Sequence, residues 1–231
     1  MDFLSVLIVT ALLTYICQPA IKQFPAVLYL AAACLVALFL AAPYASFPGF
    51  LERALFFLIH KGTLALSLFC VVMFIGVLPH GASLRHRLAA IRAELSICAC
   101  ILVAGHMGLY LVSYLSRIGV HPVGPLVLTS LAIAIVLLVI VVALGITSID
   151  SVKQRMGARA WSRLHKLAYV FFGLVFVHLA LMLVPSAMAG SQESAVKMAA
   201  YAIIFGSYAA LRLRLAVSEK KPESTSSYAK A

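Results

Sequence analysis

Residues 161–183, WSRLHKLAYVFFGLVFVHLALML, decide the fold class. After a polar, basic start the stretch is almost wholly apolar, enough as a helix to cross a hydrocarbon core of roughly 30 Å. It places His165 at its beginning and His178 thirteen residues later. A second stretch, residues 94–115, ELSICACILVAGHMGLYLVSYL, carries His106 near its middle. An unpartnered imidazole is costly inside a bilayer, and a neutral one is a good ligand for haem iron. Histidines at that depth therefore point to a use.

Composition sets the class around these helices. Of 231 residues, 64% are hydrophobic and 11% charged, with a mean hydropathy of +1.09, which excludes an ordinary soluble domain. The apolar runs predict spans near 3–21, 25–42, 55–78, 95–116, 125–147, 165–185 and 197–215. A β-barrel needs shorter, alternating segments. The expected fold is all-α: a polytopic membrane helical bundle of about seven transmembrane helices (six to seven), N-terminus outside and C-terminus cytosolic. The divisions expected are an N-terminal helix pair over 1–50, a haem-binding transmembrane domain over 51–217 and a disordered cytosolic tail over 218–231. Nothing of this length leaves room for a second folded soluble domain.

The net charge of +11 reads as topology rather than as a nucleic-acid footprint. With the first residues outside, the inner side collects Lys22, Arg85, Arg87, Arg92, Lys153, Arg155, Arg159, Arg163, Lys166, Arg212, Arg214, Lys220, Lys221 and Lys230. The outer side keeps Arg53, Lys61, Arg117 and Lys197, and such a bias is the positive-inside pattern. The first apolar run lacks a basic region before it, since Lys22 follows it, so a retained helix is expected rather than a cleaved signal. Cys17, Cys34, Cys70, Cys98 and Cys100 all fall in expected spans without a CxxC, and read as small buried apolar residues. The fifth span contains no ionisable group and reads as a lipid-facing wall.

Depth singles out one pair of histidines. His106 lies twelve residues past Glu94, about 18 Å along a helix, and His178 lies thirteen past His165, about 19.5 Å. Both helices start on the inner side, so the two match in depth as axial ligation of one haem requires. The alternative for either histidine is a hydrogen-bond partner between helices or a proton relay. Gly105, Gly108 and Gly173 would let a flat macrocycle approach. His165 sits at the inner interface, about 220° around the helix from His178, and is either a ligand of a second haem or a polar interfacial residue. His80 and His86 are candidate partners for it by depth only. His60 and His121 read as solvated or interfacial. Arg159, Arg163 and Lys166 could face haem propionates or a flavin phosphate, although the topology alone accounts for them. No P-loop, GxGxxG, GxSxG or HExxH is present.

The segments RAELSICACILVAGHMGLYL, RMGARAWSRLHKLAYVFFGLVFVHLALML and HKGTLALSLFCVVMFIGVLP resemble the ferric reductase-like transmembrane family, and within it the MsrQ-type haem-binding membrane subunit. The likeness covers roughly residues 55–215. It implies that His106 and His178 are the axial pair of a b-type haem near the outer face, and that His165 corresponds to the family's inner histidine. Only His106 stands at mid-depth on its helix, where related oxidases carry two histidines. The resemblance also implies electrons entering from a cytosolic flavin reductase, through FMN, or from a quinol, and leaving to an extracytoplasmic acceptor or partner reductase. No flavin and nicotinamide domain follows Arg214, so a borrowed donor is expected, in a bacterial inner or cytoplasmic membrane among its lipids. The extra N-terminal helix departs from the MsrQ type. A transporter or scaffold without haem is the reading from another class, against which no broken-helix pair or inverted repeat is seen. Direct reduction of ferric iron outside differs from the first reading only in its acceptor.

Overall fold

The structure is a computed structural model that describes residues 2–42, 44, 47–79, 81–115 and 124–219. Every regular element among these residues is helical. In chain order they are α1 (Phe3–Ile16), α2 (Gln18–Gln23), α3 (Pro25–Ala41), α4 (Gly49–Leu55), a π-turn (Phe56–His60), α5 (Thr63–Ile75), α6 (Ser83–Ala89), α7 (Arg92–Leu115), α8 (Pro125–Ile146), α9 (Asp150–Arg155), α10 (Ala158–His165), α11 (Leu167–Met188) and α12 (Gln192–Glu219). The starts are written locally. Asp2 and Ser5 form a capping box at α1, while Pro25 and Pro125 stand at the first turns of α3 and α8, where a missing N–H costs nothing.

α5 is the centre of the bundle. Ten of its residues are buried, from Thr63 to Ile75, which is the pattern of a helix apolar all round and enclosed on all sides. One buried cluster joins it to α3 and α7, through Ala32, Leu68, Leu95, Ala99 and Leu102. A second joins it to α1, α11 and α12, through Phe3, Cys70, Phe172, Tyr201 and Phe205. A third gathers Leu137 and Val141 of α8 with Phe171 of α11, and Phe69 of α5 packs beside it. α7 and α11 pack on α8 and against side chains of α5 rather than extensively on each other. Each outer helix keeps an apolar face outward, as Val139 and Val142 do on α8.

The seven expected spans resolve less evenly. Among the described residues, four helical segments are long and apolar enough to cross a membrane: Arg92–Leu115, Pro125–Ile146, Ala158–Met188 and Gln192–Ser218. The expected third span, 55–78, begins inside a helix that starts at Gly49 and then bends by 47° between His60 and Thr63. Gly62 takes φ +65° there, a left-handed conformation that glycine adopts without Cβ strain. Counted as one span, the bent pair makes a fifth. α1 and α3, of 14 and 17 residues, are shorter than the ~20 residues a straight crossing needs. They pack against α5 and α7 respectively. The tail expected beyond 218, with His80 and the turn holding Arg117 and His121, lies outside the described residues apart from Ser218 and Glu219.

Candidate functional site

His106 projects from α7 toward the break between the π-turn and α5. Its Nδ1 lies 2.6 Å from the carbonyl oxygen of His60. A carbonyl only accepts, so Nδ1 carries the proton and Nε2 holds the lone pair. No protein partner for Nε2 is found among the described residues. One turn further along α7, Tyr110 packs on the His106 ring at 4.9 Å between centroids. Its hydroxyl lies 3.3 Å from His60 Nδ1.

His178 is served by the helix with no ionisable group. Ser130 of α8, buried to 4% exposure, places its Oγ 3.1 Å from His178 Nδ1. Nε2 of His178 is again without a protein partner among the described residues. Both mid-helix histidines therefore engage Nδ1 and leave Nε2 uncommitted. Metal-ligating histidines show this pattern, with the second ring nitrogen held by a carbonyl, hydroxyl or carboxylate that fixes tautomer and orientation. The fifth span is thus not merely a lipid-facing wall: one face meets lipid, and the other carries hydroxyls to two histidines.

Two internal rulers place the pair in depth. Phe69 of α5 meets Phe171 of α11 at 4.9 Å. Gly62, which touches the His106 ring, is seven residues from Phe69, and His178 is seven residues from Phe171. Along α5 the two histidines therefore share a level. Along α8, Cys100 of α7 sits beside Val141 and Gly145, which sets His106 near Leu137, about 10 Å short of Ser130 at 1.5 Å per residue.

His165 is built differently. Thr147, at the end of α8, donates its hydroxyl hydrogen to the Ala143 carbonyl at 2.7 Å. Its oxygen is then left to accept from His165 Nε2, 3.1 Å away. Trp161 stacks on the His165 ring at 4.1 Å and donates its indole N–H to the Thr147 carbonyl at 3.0 Å. Lys153 caps the other ring, 5.1 Å above Trp161. The nitrogen that the other two histidines keep free is here committed to Thr147, and the group clamps α10 to the end of α8. His86 is exposed on α6, and Arg159, Arg163 and Lys166 are exposed beside the clamp.

The packing refines two expectations. His60, expected to be solvated or interfacial, is half-buried: its ring stacks on Phe56 at 4.4 Å, meets Phe39 edge-on at 6.0 Å and bonds Tyr110. The three glycines divide by role. A Cβ on Gly105 would lie 2.7 Å from Val36 of α3, so this glycine serves helix packing, whereas Gly108 and Gly173 face open space. Of the cysteines, Cys70 and Cys98 are buried as expected, while Cys17 and Cys34 are exposed. No cluster of three or more histidine, cysteine or acidic side chains suited to a bare metal ion occurs among the described residues. Ser130, Thr147 and His60 were missed by sequence reasoning. Only the hydroxyls in an otherwise apolar α8 gave a usable signal.

Comparison with known proteins bears on this arrangement. A family model described as ferric reductase like transmembrane component matches residues 61–176. The match takes in His106 and His165 and stops two residues before His178. A protein of Treponema pallidum (strain Nichols), described as "Uncharacterized protein", is 36% identical over 207 residues, covering 87% of this chain and 57% of the relative. The chain thus spans little more than half the length of that relative. No solved structure matches it.

Proposed function

We propose that this chain, which belongs to the ferric reductase-like transmembrane family, is a membrane subunit that carries electrons across the bilayer through one b-type haem. The observation that carries the reading is the common placement of His106 and His178: each engages Nδ1, one with a carbonyl and one with a hydroxyl, and has no protein partner at Nε2 among the described residues, on two helices that do not pack extensively on each other. The donor set fits a six-coordinate haem. His106 and His178 would hold it, and the bound group would supply a one-electron centre whose potential depends on axial ligation and burial.

The chain's own residues do the remaining work. The His60 carbonyl and Ser130 orient the two imidazoles, and the Phe69–Phe171 contact packs α5 against α11 seven residues away from Gly62 and His178. His165 anchors the inner end of α11 through Thr147 and Trp161 instead of holding a second haem. The basic residues of α9 and α10 set the inner face by the positive-inside rule, which puts the N-terminus outside, in a bacterial cytoplasmic membrane. The donor is a cytosolic flavin reductase or a quinol, and the acceptor is an extracytoplasmic reductase or another oxidant outside.

The test is a dithionite-reduced minus oxidised spectrum of the detergent-purified chain, with haem quantified per chain. Sharp α and Soret bands at one haem per chain are expected, unchanged in His165→Ala. A colourless protein made with adequate haem supply would refute the reading, and a second haem lost in His165→Ala would overturn the role given to that residue. Ser130→Ala should keep the bands but weaken haem retention, on the order of the 10–100-fold typical of removing such an orienting partner. Unchanged retention would remove Ser130 from the site.

A further inference from the structure

The bend before α5 does more than turn the chain. The Phe56–His60 segment is a π-turn, closed by the Lys61 N–H donating to the Phe56 carbonyl at 3.1 Å. Such one-turn bulges recur at functional sites because they re-aim backbone groups. The Thr63 hydroxyl donates to the Phe57 carbonyl at 2.5 Å and ties the far side of the break. The His60 ring is gripped by Phe56, Phe39 and Tyr110. His60 therefore has little freedom, and its carbonyl meets His106 Nδ1.

Gly62 completes the arrangement. A Cβ built on it would lie 3.3 Å from Nδ1, 3.4 Å from Cγ and 3.5 Å from Cε1 of His106. The imidazole lies against the bare glycine, in the space that any other side chain would claim. The φ of +65° independently favours glycine here.

We infer that the π-turn and Gly62 form the positioning element of His106: the His60 backbone carbonyl fixes the Nδ1–H tautomer, and Gly62 leaves room for the ring in that orientation. The side chain of His60 acts only by holding its own carbonyl in place. The functional meaning of this element rests on His106 being an axial ligand, while its structural content does not.

Solid-state NMR of the full chain, labelled with ¹⁵N-histidine and held haem-depleted in phospholipid nanodiscs, reads the tautomer directly. The His106 signal is the one lost in His106→Asn. The expected wild-type spectrum has a protonated Nδ1 and a bare Nε2 at His106. His60→Ala, which keeps the carbonyl, should retain that tautomer. Gly62→Ala should replace the single population with a mixture, and so should Gly62→Asn. Asparagine tolerates the left-handed conformation, so that variant isolates the clash from backbone strain. In the haem-loaded chain both Gly62 variants should shift the midpoint potential. A wild-type His106 protonated at Nε2, a tautomer lost in His60→Ala, or a Gly62→Asn spectrum identical to wild type would each overturn the inference. A colourless chain that still shows protonated Nδ1 and bare Nε2 would uphold the positioning element and sink the axial-ligand reading instead.

Discussion

His178→Ala is expected to lose the sharp low-spin α and Soret bands altogether, and His106→Ala to lose them equally. In the proposed site each variant removes one of two ligands, and a b-type haem has no covalent link to hold it once six-coordination fails. The imidazole removed is partly buried in both cases, so circular dichroism must show retained helix before the spectra are compared. His178 is the more informative position. The family match ends at residue 176, so its assignment rests on the buried Ser130 hydroxyl and on the free Nε2 rather than on the family. Full bands in His178→Ala at wild-type haem content would move the second ligand to another residue. Full bands in both variants would refute the bis-histidine site.

Why helix register was legible in the sequence, and the orienting partners were not, follows from the physics of each. Helix rise is fixed, so counting from Glu94 and from His165 put His106 and His178 midway along two long apolar helices. Apolar run length marked all four long spans, with ends differing by up to seven residues. The bend at Gly62 escaped because a π-turn and an α-helix carry the same apolar pattern, and residues 55–78 read as one continuous span. The grip on His60 escaped because two of its three aromatic rings, Phe39 of α3 and Tyr110 of α7, come from elements distant in sequence, and only Phe56 is local. The commitment of His165 Nε2 to Thr147 escaped for another reason. Thr147 closes a span on the opposite side of a polar loop, and only tertiary packing brings the two together. Gly105 was legible as a close-approach residue but not as to what approaches it. The partner is Val36 of α3 rather than a macrocycle.

That last distinction gives the second large effect. Gly105→Ala should destabilise the bundle by about 1–3 kcal/mol, the usual cost of overpacking a fitted contact. The added Cβ would lie 2.7 and 2.9 Å from the two methyls of Val36 and 3.3 Å from its Cβ. A β-branched side chain has few rotamers with which to retreat, so α7 and α3 must move apart. Gly108→Ala, one turn on and facing open space, should change stability by no more than about 0.5–1 kcal/mol, and in the stabilising direction, because alanine is the better helix former. Denaturant unfolding followed by circular dichroism separates the two. Haem retention should fall in Gly105→Ala as well, since Gly105 adjoins His106 and a shift of α7 draws the ring away from the His60 carbonyl. Equal stability of the two variants would mean that α3 does not press on α7. The N-terminal helices would then stand apart from the bundle that holds the histidines.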